Sequence, residues 1–207
     1  MQEVFAGGWS RQPGFSVELL APLHDLNLRF LDLAGAHAGG WRPAGALDLP
    51  GNASQRLAPM SASQRAAVAS CPYALFDLRF HDEAHWAARV QGAAQWGIAD
   101  QGGEGETENF VRLALFYAWH VAHTTRHAAQ LLLGMSERTA RVFRTATLNC
   151  LPALVASETA NLSARFGDCG AYWLALVSAA VRRDEHRLRK IQLFGLQLAA
   201  ATLLPWS

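Results

Sequence analysis

The chain says the same thing twice. Residues 47–80 (LDLPGNASQRLAPMSASQRAAVASCPYALFDLRF) lie over residues 133–166 (LGMSERTARVFRTATLNCLPALVASETANLSARF) without a gap. Both segments begin at Leu and end in Arg-Phe, and Leu47 to Leu133 and Phe80 to Phe166 are each a step of 86 positions. Apolar columns coincide: Leu57 with Phe143, Val68 with Leu154, Phe76 with Leu162, Leu78 with Ala164. Beyond the shared Arg-Phe, Trp86 aligns with Trp173 and Val90 with Val177, now 87 positions apart. Upstream, an apolar helix at 26–38 matches another at 110–122. A period this long points to a duplicated domain rather than a solenoid, whose units run to about 20–50 residues.

Duplication bounds the fold. Two copies of this size fit a chain of 207 residues, and copies so small have little core each, so they are expected to lean on one another. Helical spacing dominates. Leu19, Leu23, Leu26 and Phe30 recur at three and four residues, and Ser61 can cap a short helix over 62–70. Only the segment 75–81, where Phe76, Leu78 and Phe80 alternate with Asp77, Arg79 and His81, has the period of a half-buried strand. Leu162, Ala164 and Phe166 repeat it. The expectation is an all-α, mostly helical protein of two similar repeats with pseudo-two-fold symmetry, each containing one short extended segment. Residues 1–16 read as a flexible tail, 17–96 as the first repeat, and 97–108, with its glycines and acids, as a linker. The second repeat with a C-terminal helix fills 109–207. The breaker-rich stretch 39–51 must be loop. The helix at 109–124 is apolar on nearly all sides and is expected to be buried on two of them.

Composition excludes little and adds one constraint. A formal charge of +1 leaves no global field to attract nucleic acid or anionic membrane, so any such binding needs a local patch. The three cysteines, Cys71, Cys150 and Cys169, form no C-x-x-C and suit a reducing compartment. No signal peptide is legible in MQEVFAGGWSRQPGF, and the longest uncharged apolar stretch, 191–206, falls short of a bilayer span. A cytoplasmic protein without membrane contact is the expectation.

Two basic clusters could carry function. An apolar helix ends at Gly134, Ser136 can cap the next, and Arg138, Arg141 and Arg144 then project at three-residue spacing. That arrangement suits a helix-turn-helix placing guanidinium forks on bases or phosphates, but it suits an ordinary all-α corner as well. Arg182, Arg183, Arg187, Arg189 and Lys190 form the second cluster, interrupted by Asp184 and Glu185. Read one way it is a salt-bridged, solvated helix face, and read the other a phosphate-contacting stripe. Just beyond it Ile191, Phe194 and Leu198 share one helix side and require cover, from the chain's own core or from a second subunit. His120, His123 and His127, and the pair His81 and His85, have helical spacing but no accompanying H-E-x-x-H. No metal, cofactor or enzymatic activity is expected: G-x-S-x-G, P-loop and Cys/His nucleophile patterns are missing. The repeated Arg79 and Arg165 suggest a structural salt bridge or a carbonyl cap.

At this point a family resemblance emerges. Asp25-Leu26-Asn27-Leu28 in the first helix, Leu133-Gly134-Met135, a Leu-rich short helix, and an Arg-Phe closing an extended segment together resemble the flagellar transcriptional activator FlhD. Residues 109–168 follow the pattern without obvious gaps. The first copy keeps the helix opening and Phe-Asp-Leu-Arg-Phe but has Leu47-Asp48-Leu49 in place of Leu-Gly-Met. The resemblance implies a small helical protein that dimerises and activates transcription with a partner, FlhC. A tandem chain would then mimic the dimer. It further implies DNA, an FlhC-like protein or a second copy as partner, with contact to DNA either direct or lost in favour of protein binding. The cysteine-clustered zinc site of that system belongs to the partner.

Overall fold

In the computed structural model the described residues are 16–37, 49–50, 52–96, 105–124 and 126–201. The expected tail before Ser16, most of the loop at 39–51, linker residues 97–104 and the end of the chain from 202 onward lie outside them. Helix α1 (Val17–His37) is followed by α2 (Ala53–Leu57), α3 (Ala62–Ala69), strand β1 (Phe76–Asp77) and α4 (Glu83–Trp96). A second run has α5 (Glu106–Thr124), α6 (Arg126–Leu133), α7 (Glu137–Thr145), α8 (Leu151–Glu158), strand β2 (Ser163–Ala164), α9 (Gly170–Val181) and α10 (Glu185–Ala201). The protein is mostly helical. Helix α5 begins at Glu106, three residues before the expected Asn109, because Glu106 and Glu108 suit the positive end of a helix dipole.

Leu23, Leu26, Phe30 and Leu31 turn one face of α1 fully inward, and Phe110, Ala114, Tyr117 and Val121 do the same for α5. The two helices pack antiparallel. The Tyr117 hydroxyl donates to the Leu19 carbonyl at 2.8 Å near one end, and the rings of Phe30 and Phe110 stand 6.1 Å apart toward the other. Val111, Leu115, Ala118 and Ala122 bury a second side of α5, as its all-round apolarity requires. Ser61 caps α3 through a reciprocal capping box with Gln64.

The strands pair antiparallel, Phe76 with Ala164 and Asp77 with Ser163. Each is shorter than the alternating sequence predicts. Burial alternates as expected, with Phe76, Leu78 and Phe80 covered and Arg79 exposed. The backbone, however, leaves the extended conformation at Arg79 (φ 56°) and at Phe166 (φ 58°). Asp77 Oδ1 accepts from the Phe80 amide, closing a turn where the strand would continue.

After each strand the chain crosses over. Helix α4 packs on α7 and α8, and α9 packs on α2 and α3, so each post-strand helix covers the short helices of the other run. Trp86 and Trp173 are both fully buried there. Each indole Nε1 donates to the carbonyl of the strand-end arginine before it, Trp86 to Arg79 (3.1 Å) and Trp173 to Arg165 (2.8 Å). One continuous apolar core runs through both halves, with Phe30, Phe76, Phe110 and Trp173 in contact near its centre.

Candidate nucleic-acid and partner interfaces

The corner between α6 and α7 forms as its residues dictate. Gly134 takes φ 72°, and its amide donates back to Gln130. A Cβ there would stand 2.9 Å from Arg165 Nη2, so the position demands glycine twice over, by backbone and by space. Ser136 Oγ accepts from the Thr139 amide at 2.9 Å and starts α7. Thr139, Ala140 and Phe143 face inward, with the Phe143 ring 4.8 Å from that of Trp86 and 6.0 Å from that of Phe80. Arg138 and Arg141 therefore stand outward, their side chains 72% and 63% exposed, while Arg144 is half-buried. The ridge is not a bare cation surface. Arg138 pairs with Glu83 of α4 at 3.3 Å and Arg141 with Glu137 at 3.2 Å. Exposed pairs of this kind are weak and give way readily to a stronger anion.

The second cluster wraps the turn from α9 into α10. Arg182, Arg183, Arg187, Arg189 and Lys190 are all exposed. The sequence allows ion pairs to Asp184 and Glu185, but no such pair forms among the described residues. Asp184 instead caps α10, its Oδ1 accepting from the Arg187 amide at 2.9 Å. The turn is a Schellman motif: Arg183 N–H bonds to the Ala180 carbonyl and Asp184 N–H to that of Ala179. Arg183 occupies the left-handed position (φ 55°) that glycine normally takes.

Helix α10 docks through Leu188, Gln192, Gly195 and Ala199. The stripe of Ile191, Phe194 and Leu198 is rotated away from that contact. Ile191 and Leu198 rest half-buried against the core, whereas Phe194 is 47% exposed and Leu193, on another side, 40%. The stripe is thus only partly covered by the chain itself.

Beneath α10 lies a polar cluster that sequence reasoning missed. The hydroxyls of Tyr73 and Tyr172 are 2.8 Å apart, and the Cys71 thiol sits beside them. Gln192 Nε2 donates to the Ala67 carbonyl and Ser70 Oγ, both at 3.2 Å. Burial pushes the Cys71 thiol up to about 12 and both phenols well above their ordinary value. A Cβ on Gly195 would fall 2.0 Å from Tyr73 Oη, so α10 approaches this closely only because that residue is glycine. A second missed cluster surrounds Glu158, whose side chain is completely buried. Its oxygens meet His85 Nε2 (2.8 Å), Arg89 Nε (3.2 Å), Asn161 Nδ2 (2.9 Å) and Ser157 Oγ (3.2 Å). A lone acid at the end of the apolar run LPALVASE was the available signal.

The repeated arginines take different roles. Arg79 is exposed and ion-paired with Asp82. Arg165 is buried, donates from Nη1 to the Leu132 carbonyl at 3.0 Å, and lies over the rings of Tyr73 and Phe166. Burial lowers its guanidinium to about 10. Of the histidines, His85 is held by Glu158, His123 Nδ1 lies on the Trp119 carbonyl, and His120 and His127 are exposed. No three potential metal ligands converge among the described residues. No helix there is long and apolar enough to cross a membrane. Comparison with known proteins finds no family model, no curated protein and no solved structure that matches this chain.

Proposed function

We propose that this chain is a transcription regulator of FlhD type in which two fused copies replace a dimer, and that it acts through a protein partner. The observation that carries this reading is the reciprocal crossing of α4 and α9, each packed on the short helices of the other half. Such an exchange is what two subunits of an intertwined dimer make. Here Asp77 pairs with Ser163, its counterpart at the repeat offset of 86 positions, as residues on the axis of such a dimer do. An internal duplication of roughly 85 residues accounts for both facts.

Action through a partner is favoured over direct DNA contact by charge and by apolar exposure. The formal charge is only +1, and Phe194 and Leu193 stand open to solvent. Direct DNA binding remains the second reading because α7 offers its arginines outward with Phe143 anchored beneath. Deleting the gene and profiling transcripts tests the regulatory role, and unchanged transcript levels reject it. Fluorescence anisotropy with random duplex at low salt tests the DNA route. Replacing Arg138, Arg141 and Arg144 together by Ala should leave the fold intact, and equal binding by both proteins, or none by either, excludes α7 as a DNA-reading helix. If all three touch phosphates, the triple variant should reduce the salt slope by about one unit for each phosphate that is no longer neutralised.

A further inference from the structure

Three features of the α9–α10 turn and the helix after it are not accounted for by the packing of the fold alone. The first is the accumulation of cations. Arg187, Arg189 and Lys190 occupy the first two turns of α10, where the helix dipole is positive and basic side chains are disfavoured. Arg182 and Arg183 adjoin them, and none of the five has a carboxylate partner among the described residues. The second is Arg183 itself, in a left-handed conformation that glycine would adopt without strain. The third is a stripe. Arg187, Lys190, Ile191, Phe194 and Leu198 fall at i, i+3, i+4, i+7 and i+11 and so line one side of α10. Along that side charge comes first and apolar surface second.

We propose that this side of α10 is the docking surface for an acidic amphipathic helix of a protein partner, whose carboxylates meet Arg182, Arg183, Arg187 and Lys190 and whose apolar side chains cover Phe194, Ile191 and Leu198. The proposal rests on the partner-mediated reading above and specifies the partner's chemistry. Charge complementarity selects an acidic occupant. Segregation along the helix, rather than around it, selects a protein over the alternatives. An interfacial membrane helix carries an apolar face along its whole length with cations on the opposite side. A duplex would engage the basic half and leave Phe194 in water. A second copy of this chain brings its own basic cluster to the same surface.

The test uses the whole chain and a fluorescein-labelled synthetic helix of about 16 residues, with Glu on one face over one half and Leu at i, i+3, i+4 and i+7 over the other. Controls are a scrambled peptide, a random 20-base-pair duplex and phosphatidylserine–phosphatidylcholine vesicles, with the oligomeric state followed by light scattering. The patterned peptide should bind at least tenfold more tightly than the scrambled one and weaken with salt. Phe194→Ser should raise its dissociation constant tenfold or more, and Arg187→Glu with Lys190→Glu should do so independently. Arg183→Gly should raise the unfolding midpoint while weakening the peptide, a split that a purely structural role does not produce. Circular dichroism verifies that each variant is folded. The proposal is overturned if the patterned peptide does not bind, or if its binding ignores both sets of substitutions. It is equally overturned if duplex, vesicles or self-association, rather than the peptide, show that sensitivity to Phe194→Ser and to the charge reversals. Transcript changes in the deletion strain that survive these substitutions would leave the regulatory reading standing and remove only this surface.

Discussion

The Tyr73–Tyr172 junction engages α9 and the His85–Glu158 junction engages α4, and the two are built from opposite chemistry. His85 precedes Tyr172 by 87 positions and Ser157 follows Cys71 by 86, the same offsets that align the two runs of helices. Where α9 meets α3, α10 closes over the contact, and the groups beneath it are a thiol, two phenols and an amide, all neutral. Where α4 meets α8, a carboxylate lies at the bottom and the Arg89 side chain, 45% exposed, carries its countercharge to the surface. Cover decides the chemistry. Under the helix the hydrogen-bonded groups are neutral, and the nearest charge, the buried Arg165 guanidinium, is held by the Leu132 carbonyl and the rings of Tyr73 and Phe166. A site with one wall at the surface tolerates an ion, provided that each oxygen is met by donors.

The largest expected consequence is alkaline unfolding driven from the sealed junction. Cys71, Tyr73 and Tyr172 all hold their protons more tightly folded than unfolded. Between pH 9, the ordinary value of the thiol, and about 12 the unfolded chain therefore binds fewer protons, and stability falls as pH rises. Arg165 works in the other sense from about pH 10 upward, because its folded guanidinium is lowered, but it is a single group against three. Circular dichroism against pH should show cooperative unfolding within this window, and combining Tyr73→Phe, Tyr172→Phe and Cys71→Ala should move its midpoint upward. A midpoint unmoved by the triple variant would mean that the sealed junction does not control alkaline stability.

Next in size is the open junction. Glu158→Ala removes the acceptor shared by His85, Arg89, Asn161 and Ser157 and should cost about 3–5 kcal/mol in urea denaturation, because the covered donors of His85, Asn161 and Ser157 lose their partner at about 1–3 kcal/mol each while Arg89 turns to water. Glu158→Gln keeps the shape and should cost less. If Glu158→Ala proves near neutral, the contrast between the two junctions collapses. Smaller again is Gly195→Ala, whose methyl must push α10 off Tyr73. The expected loss is about 1–3 kcal/mol, accompanied by faster labelling of Cys71 by a thiol reagent at neutral pH. Unchanged labelling would indicate that α10 does not act as the seal.

Much of this architecture is legible in the sequence, for identifiable reasons. The Ser61 and Ser136 caps, Gly134 at its corner and the burial of Trp86 and Trp173 follow from local rules or from alignment of the chain with itself. The outward placement of Arg138 and Arg141 follows from helical spacing once Phe143 is assigned inward. Features that join distant residues are invisible to periodicity. Asn27 is fully buried because its amide reaches the carbonyls of Ala69 and Tyr73 and its oxygen accepts from Leu75 N–H, more than 40 positions away. The carboxylates that hold Arg138 and Arg141 differ in the same way, since Glu137 is in reach of a helical rule and Glu83 is not. In α10 the inward side is chosen by Gln192 and Gly195, the residues least expected to face a core, because Tyr73 fills the space a larger side chain would take.

The crossing of α4 and α9 also sets what counts as a unit of folding. Neither stretch can close over its own short helices, so a protease nick between α4 and α5 would yield two fragments, each with a bare apolar face, that remain clasped together under native conditions. Expressed separately, the same fragments would have to find each other before either is protected. Covalent continuity fixes their local concentration and makes assembly independent of dilution.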